Sequence, residues 1–171
     1  MNILIIYSTR GGVSRECAKM LKKHLDRTFE VSVYDIENTP PSPEGFDVAV
    51  IGGSVRMAKI NKRLKKYLRE HATALNDIHT ALFLCCGFPE NFDDYVSMQI
   101  PKSVIPSLGI HCFGGELKPQ NLKGIDKLMV KMMRSEIIGT DFEAPEHDRP
   151  PLPEIVPENI ARLADKIRSL L

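Results

Sequence analysis

The residues best suited to chemistry come early. Ser8, Thr9, Arg10, Gly11, Gly12, Val13 and Ser14 separate an apolar run over residues 2–7 from a stretch with helical spacing. Their hydroxyls, one guanidinium and two adjacent glycines let backbone N–H groups converge on an anion where a helix begins. A phosphate monoester suits that set. No Lys follows the second glycine, as a Walker loop requires, and the spacing is not G-x-G-x-x-G. Gly and Ser also favour tight turns, so a βα turn that binds nothing is the competing reading of these residues.

The loop resembles that of flavodoxins, in which hydroxyl-rich residues between the first strand and first helix wrap the phosphate of FMN. A second small-residue turn, Gly52-Gly53-Ser54, closes an apolar run that starts at residue 47. Small side chains there allow close backbone approach. A third candidate is the segment after the apolar run 80–87, where Cys86 and Gly87 lead into Phe88 and on to Tyr95. Its aromatic residues could stack on a planar ring, or simply anchor a loop. The histidines, His24, His71, His79, His111 and His147, show neither metal spacing nor a nucleophile partner, so no metal is expected. Cys17, Cys85, Cys86 and Cys112 contain no C-x-x-C and read as free thiols. Cys85 and Cys86 are small hydrophobes of a buried strand or a redox-sensing pair, and Cys112 stands isolated in sequence.

These loops need strands and helices to hold them. Residues 2–7, 47–54 and 80–87 are apolar on both faces, as buried parallel strands are, and 30–35 alternate like an edge strand. Residues 110–117 read as the fifth strand. Helical spacing covers 14 to about 27, with Cys17, Ala18, Leu21 and Leu25 on one stripe, and a loop plus helix covers 55 to about 75. The outer face of that second helix carries Lys59, Lys62, Arg63, Lys65, Lys66 and Arg69, either a solvated face or an attraction for an anionic substrate or partner. Pro101 and Pro106 break the pattern over 95–108. Residues 121–138 predict a cationic, Met-rich amphipathic helix, fit for core packing or for a partner or membrane surface. A Pro-rich loop over 144–157 precedes a closing helix with Pro157 at its first position. The expected fold is α/β: a flavodoxin-like, doubly wound, five-stranded parallel sheet of order 2-1-3-4-5, the standard example of a ligand site over the strand ends where the order reverses.

Length and charge narrow the function. The 171 residues suit a single domain over 1–171, with an extra helix and Pro-rich loop at about 120–156. Residues 1–2 lead directly into the first strand and no apolar stretch is long enough to span a bilayer, so the expected location is the cytoplasm. A net charge of +1 argues against a nucleic-acid partner, and equally against an acidic electron shuttle.

Three stretches, Tyr7-Ser-Thr-Arg-Gly-Gly-Val-Ser-Arg-Glu16, Ile51-Gly-Gly-Ser-Val-Arg56 and Glu70-His-Ala-Thr-Ala-Leu-Asn76, resemble the quinone-dependent protoporphyrinogen IX dehydrogenases of bacterial haem synthesis. Leu128-Met-Val-Lys-Met-Met133 resembles that family's inserted helix. The resemblance implies that Thr9, Arg10, Gly11, Gly12, Val13 and Ser14 hold the FMN phosphate. It places the ring between Ser54, Val55, Arg56 and Met57 on one side and the loop from Cys86 through Gly87 and Phe88 to Tyr95 on the other. Arg56 matches a family arginine, whereas Met57 replaces an expected aromatic residue and the 88–95 loop lacks the family's basic character. The implied activity is an FMN-dependent oxidoreductase acting on a porphyrinogen and a quinone, with residues 121–138 a possible peripheral membrane contact. A flavodoxin-type electron carrier, serving redox proteins, and a flavin-free interaction module are the alternatives. Signalling receivers share the strand order but need an acidic cluster where Ser, Thr and Gly stand here.

Overall fold

A computed structural model describes residues 1–115 and 154–171. The elements run β1 (Asn2–Ser8), α1 (Val13–Leu25), β2 (Glu30–Asp35), β3 (Val48–Ser54), α2 (Lys62–Glu70), α3 (Ala72–Asp77), β4 (His79–Cys85), α4 (Phe92–Gln99), β5 (Gly109–Cys112) and α5 (Pro157–Arg168). The expected helix over 121–138 and most of the Pro-rich loop lie outside the described residues.

The strands form one five-stranded parallel sheet in the order β2-β1-β3-β4-β5. Ile3 to Ile6 and Val48 to Ile51 are completely buried, because helices cover both faces of the central strands. One face packs Ile3, Ile5, Val48, Val50 and Phe83 against Cys17, Leu21 and Leu25 of α1 and Ile160, Leu163 and Ile167 of α5. The other packs Leu4, Ile6, Ile51 and Leu82 against Leu64 and Leu68 of α2 and Leu75 of α3. Odd and even positions of each strand therefore feed different cores, which explains runs apolar at every position. β2, by contrast, lies at the edge with no residue fully buried.

Several element boundaries differ from, or sharpen, the sequence expectation, each for a local reason. The single helix expected up to residue 75 is broken at His71, whose φ of −107° and ψ of 17° end α2 and open α3. Its ring instead lies 4.3 Å from that of Tyr67. α2 itself starts only at Lys62, because the Asn61 side chain accepts the Arg63 N–H at 2.7 Å as a helix cap. The expected loop 88–95 is a short 3-10 turn, Pro89–Asn91, running straight into α4; Asp93 and Asp94 sit in the first turn, where acidic groups meet the positive helix end. α4 then ends at Gln99, since Ile100 precedes Pro101 and takes an extended conformation. β5 stops at Cys112, five residues before the expected end of strand five, and the chain bends at Gly114, where φ is +74°. Phe113, fully buried, stacks its ring 4.8 Å from Phe83.

Candidate functional site

Strand order reverses between β1 and β3: the chain leaves β1 for β2 on one side and returns to β3 on the other. The loops beyond these two strands diverge and leave a crevice at the carboxyl ends. Register aligns them closely, Tyr7 opposite Gly52 and Ser8 opposite Gly53. A Cβ on Gly52 would lie 2.0 Å from the Phe83 carbonyl oxygen, and one on Gly53 would lie 2.1 Å from Ser8 Oγ. Ser8 is thus a buried polar wedge that only a glycine partner accommodates.

The first loop closes on itself and onto the second. Thr9 Oγ1 accepts the Gly12 N–H at 2.9 Å. Ser14, fully buried, shares a hydrogen bond of 2.6 Å between its Oγ and that of Ser54, which joins the loop after β1 to the end of β3. Ser14 is also in hydrogen-bond contact with the Cys85 thiol, so its buried hydroxyl ties three strand ends together. Gly12 caps α1 in the left-handed conformation, φ +95°, and offers no side-chain acceptor. The N–H groups of Val13, Ser14 and Arg15 precede the first intrahelical bond, from Glu16 N–H to Gly12 C=O at 3.0 Å. Around Gly11 no atom comes within 4 Å of where a Cβ would stand, and Arg10 beside it is exposed. Open space, the exposed Arg10 and first-turn N–H groups fit a doubly charged oxyanion.

Past Ser54 the chain makes a tight two-residue turn. Arg56 and Lys59 exchange two backbone hydrogen bonds of 2.9 Å each, and Met57 and Ala58 both take positive φ, 50° and 57°. Met57 is 61% exposed. The turn is tied to the end of β4 by the Val55 N–H, which bonds the Cys85 carbonyl at 2.8 Å. Ser54, Val55, Arg56 and Met57 therefore stand between the first loop and the Cys86-Gly87-Phe88 segment. Tyr95 lies in α4, where it and Phe92, like Val55, are partly buried against the core of that face. Tyr7 makes the last pair of the β1–β2 ladder, opposite Asp35; burial first, then the Asp35 carboxylate, raises its phenol pKa.

The cationic face of α2 is partly committed to neighbours. Arg63 pairs with Glu37 at 2.8 Å, Lys66 with Glu70 at 3.6 Å, and Lys65 approaches the Met98 carbonyl at 3.4 Å. Exposed pairs of this kind contribute little stability. A separate cleft of about 480 Å³, lined by Asp47, Asn76, His79 and Ser107 among others, lies at the amino ends of the strands and touches none of the loops above.

The contact that sequence reasoning missed is between Cys86 and Cys112, whose sulfurs stand 3.6 Å apart. Nothing local marks it, since the residues are 26 apart and meet only because β4 and β5 are neighbours in the sheet.

The flavodoxin domain family matches residues 4–143. The chain is 27% identical over 164 residues to the Escherichia coli (strain K12) protein named protoporphyrinogen IX dehydrogenase (quinone), covering 84% of this chain and 90% of that one. Among solved structures, a Streptococcus pneumonia TIGR4 flavodoxin superposes with a TM-score of 0.56 at 12% identity, covering 100% of both chains. A flavodoxin from the domain Archaea gives 0.53 at 14% identity, covering 98% of this chain and 99% of its own. At such identities the structures speak for the fold alone, but the fold, the strand order and the family match agree: this chain belongs to the flavodoxin domain family.

Proposed function

We propose that this protein is an FMN-binding oxidoreductase of the quinone-linked protoporphyrinogen IX dehydrogenase type. The observation that carries the reading is the Ser14–Ser54 contact, which joins two glycine-containing loops at the strand-order reversal beside an α1 terminus that has no side-chain cap. Support for the reaction comes from the similarity to the Escherichia coli dehydrogenase.

In this reading Thr9, Arg10, Gly11, Gly12, Val13 and Ser14 bind the FMN phosphate, mostly through neutral N–H and O–H dipoles, with Arg10 adding one charge. Ser54, Val55, Arg56 and Met57 orient the ring from one side, and Cys86, Gly87, Phe88 and Tyr95 from the other. Bound FMN would supply the two-electron acceptor that a porphyrinogen reduces and a quinone restores. Arg56 is suited to paired hydrogen bonds with a substrate carboxylate. The stretch 121–138 would face the quinone source, at the membrane surface of a cytoplasmic protein.

Titrating the purified chain with FMN tests the first half: saturable uptake with a shifted visible spectrum is expected, and its absence overturns the assignment. Anaerobic addition of protoporphyrinogen should then bleach the loaded sample, and a quinone should restore its colour. A second reading rests on Glu90, Asp93 and Asp94, exposed at the start of α4 where the resemblance calls for basic residues. Acidic groups there would repel porphyrin carboxylates and suit a flavodoxin-type electron carrier. FMN uptake without bleaching by protoporphyrinogen decides for that alternative.

A further inference from the structure

Beyond the flavin reading, with which it shares the residue Cys86 but no premise, we propose that Cys86 and Cys112 form a redox-active dithiol at the carboxyl ends of β4 and β5, closing to a disulfide by exchange with a low-molecular-weight disulfide. Their sulfurs are already 3.6 Å apart. A disulfide bond is about 2.05 Å long, so about 1.5 Å of closure is needed. The surrounding backbone is already drawn together. Leu84 pairs with Cys112 across the ladder, and the Phe113 N–H bonds the Leu84 carbonyl at 3.0 Å. Gly115 lies so flat against the Cys86–Gly87 peptide that a Cβ there would be 2.6 Å from the Cys86 carbonyl oxygen.

The two thiols differ as an attacking and a resolving sulfur must. Cys86 is 2% exposed, whereas Cys112 is only half-buried and is the one an oxidant can reach. The Cys86 and Cys112 thiols share a hydrogen bond, and the Gly114 N–H donates to Cys112; against the opposing effect of burial these bring the Cys112 pKa down to about 6. The same sharing, with burial, pushes Cys86 up. The pair thus releases its first proton easily, from Cys112, and keeps its second. Cys17 and Cys85 provide an internal contrast. Their sulfurs are 3.7 Å apart, but both side chains are buried among apolar residues of the α1 face, and the Cys85 thiol is raised, chiefly by its bond to Cys17 and by burial. No oxidant reaches them, and they pack as small hydrophobes.

Exchange proceeds in two balanced steps. The Cys112 thiolate attacks one sulfur of a disulfide R–S–S–R, forming a mixed disulfide as one R–S⁻ leaves. Cys86 then gives its proton to that thiolate and attacks the Cys112 sulfur, expelling the second R–S⁻, which takes a proton from solvent. Two protein thiols lose two electrons in all, and the small disulfide is reduced to two thiols. The bond would draw in the Cys86–Gly87 peptide, from which the segment toward α4 departs.

Glutathione is the probe. The full chain is equilibrated across ratios of reduced to oxidised glutathione, quenched with acid, alkylated, digested and mapped by mass. A Cys86–Cys112 linked peptide is expected, with Cys17 and Cys85 unmodified until the protein is unfolded. Cys86→Ser should stop at a glutathione adduct on Cys112. The rate of Cys112 alkylation by iodoacetamide should have its midpoint near pH 6 in the parent chain, and rise by at least one pH unit in Cys86→Ser. Four free thiols at every ratio, or a bond confined to Cys17 and Cys85, would overturn the proposal. So would an alkylation midpoint for Cys112 at the ordinary thiol value of about 8.5. None of these measurements involves FMN, so their failure leaves the flavin reading standing, and the reverse holds too.

Discussion

Two glycine pairs meet at the crevice and serve opposite needs. Gly52 and Gly53 are glycines because the space where a side chain would stand is filled, by the Phe83 carbonyl in one case and by Ser8 Oγ in the other. Gly11 has empty space around it, and Gly12 is held at φ +95° with only the Arg15 guanidinium nearby, at 3.6 Å. The first pair is thus a packing requirement of the sheet. The second keeps a loop low and shapes its backbone, which a sheet alone does not need. The same dipeptide, read in sequence, gives no sign of this difference.

Substitutions can break that contrast. Gly52→Ala should be the most damaging, losing about 3 kcal/mol in urea unfolding, because the clash is with backbone of the neighbouring strand. Gly53→Ala should cost nearly as much but be partly rescued by Ser8→Ala, since there the obstructing atom is a side-chain oxygen. An absence of rescue would mean that the Ser8 carbonyl oxygen, 3.0 Å away, or Leu64, 3.2 Å away, is the real obstacle. Gly12→Ala should cost about 1–2 kcal/mol through its left-handed backbone alone. Ser14→Ala removes the link to Ser54 and should cost about 1 kcal/mol of stability. It should also weaken FMN uptake roughly tenfold if one hydrogen bond to the phosphate goes with it. Gly11→Ala should be the mildest for folding, within about 0.5 kcal/mol. If the space over Gly11 is where the phosphate lies, this same variant should still lose FMN affinity, measured by fluorescence quenching; unchanged affinity would remove Gly11 from the site.

What could be read beforehand followed physical scale. Ile3 to Ile6, Val48 to Ile51 and Ala81 to Leu84 announce buried parallel strands because both faces of each are covered. Pro157 and the spacing of Ile160, Leu163 and Ile167 mark α5, where the proline occupies the first turn. The order of strands and the flavodoxin family were legible from the loop residues through resemblance. Less legible were features set by distant partners. The break at His71 accompanies its ring contact with Tyr67, and α4 begins early because Pro89 and two aspartates favour a helical start that a loop-like composition concealed. In the candidate site, the position of the loops at the strand ends was readable, but the use of the Ser14 hydroxyl as a tie to Ser54, and the meeting of Cys86 with Cys112, depend on register between strands. Asn76 belongs to a stretch noticed only for its resemblance. It proves to be a clamp: its amide donates to the Ser103 carbonyl at 2.9 Å and accepts the Ile105 N–H at 2.8 Å.

The bend at Gly114 reaches further than the end of one strand. Gly114 itself bridges antiparallel to Ile155, and the Val156 N–H bonds the Phe113 carbonyl at 2.9 Å, so the entry to α5 is fastened to the chain just past β5. β5 has only four residues, and the Asn159 amide of α5 donates to the Cys112 carbonyl at 2.7 Å, occupying a backbone group of the last strand on which another polypeptide could otherwise pair. Trimming the chain from residue 154 onward would therefore do more than strip a helix from one face: it would uncover a sticky margin, and self-association would follow loss of stability.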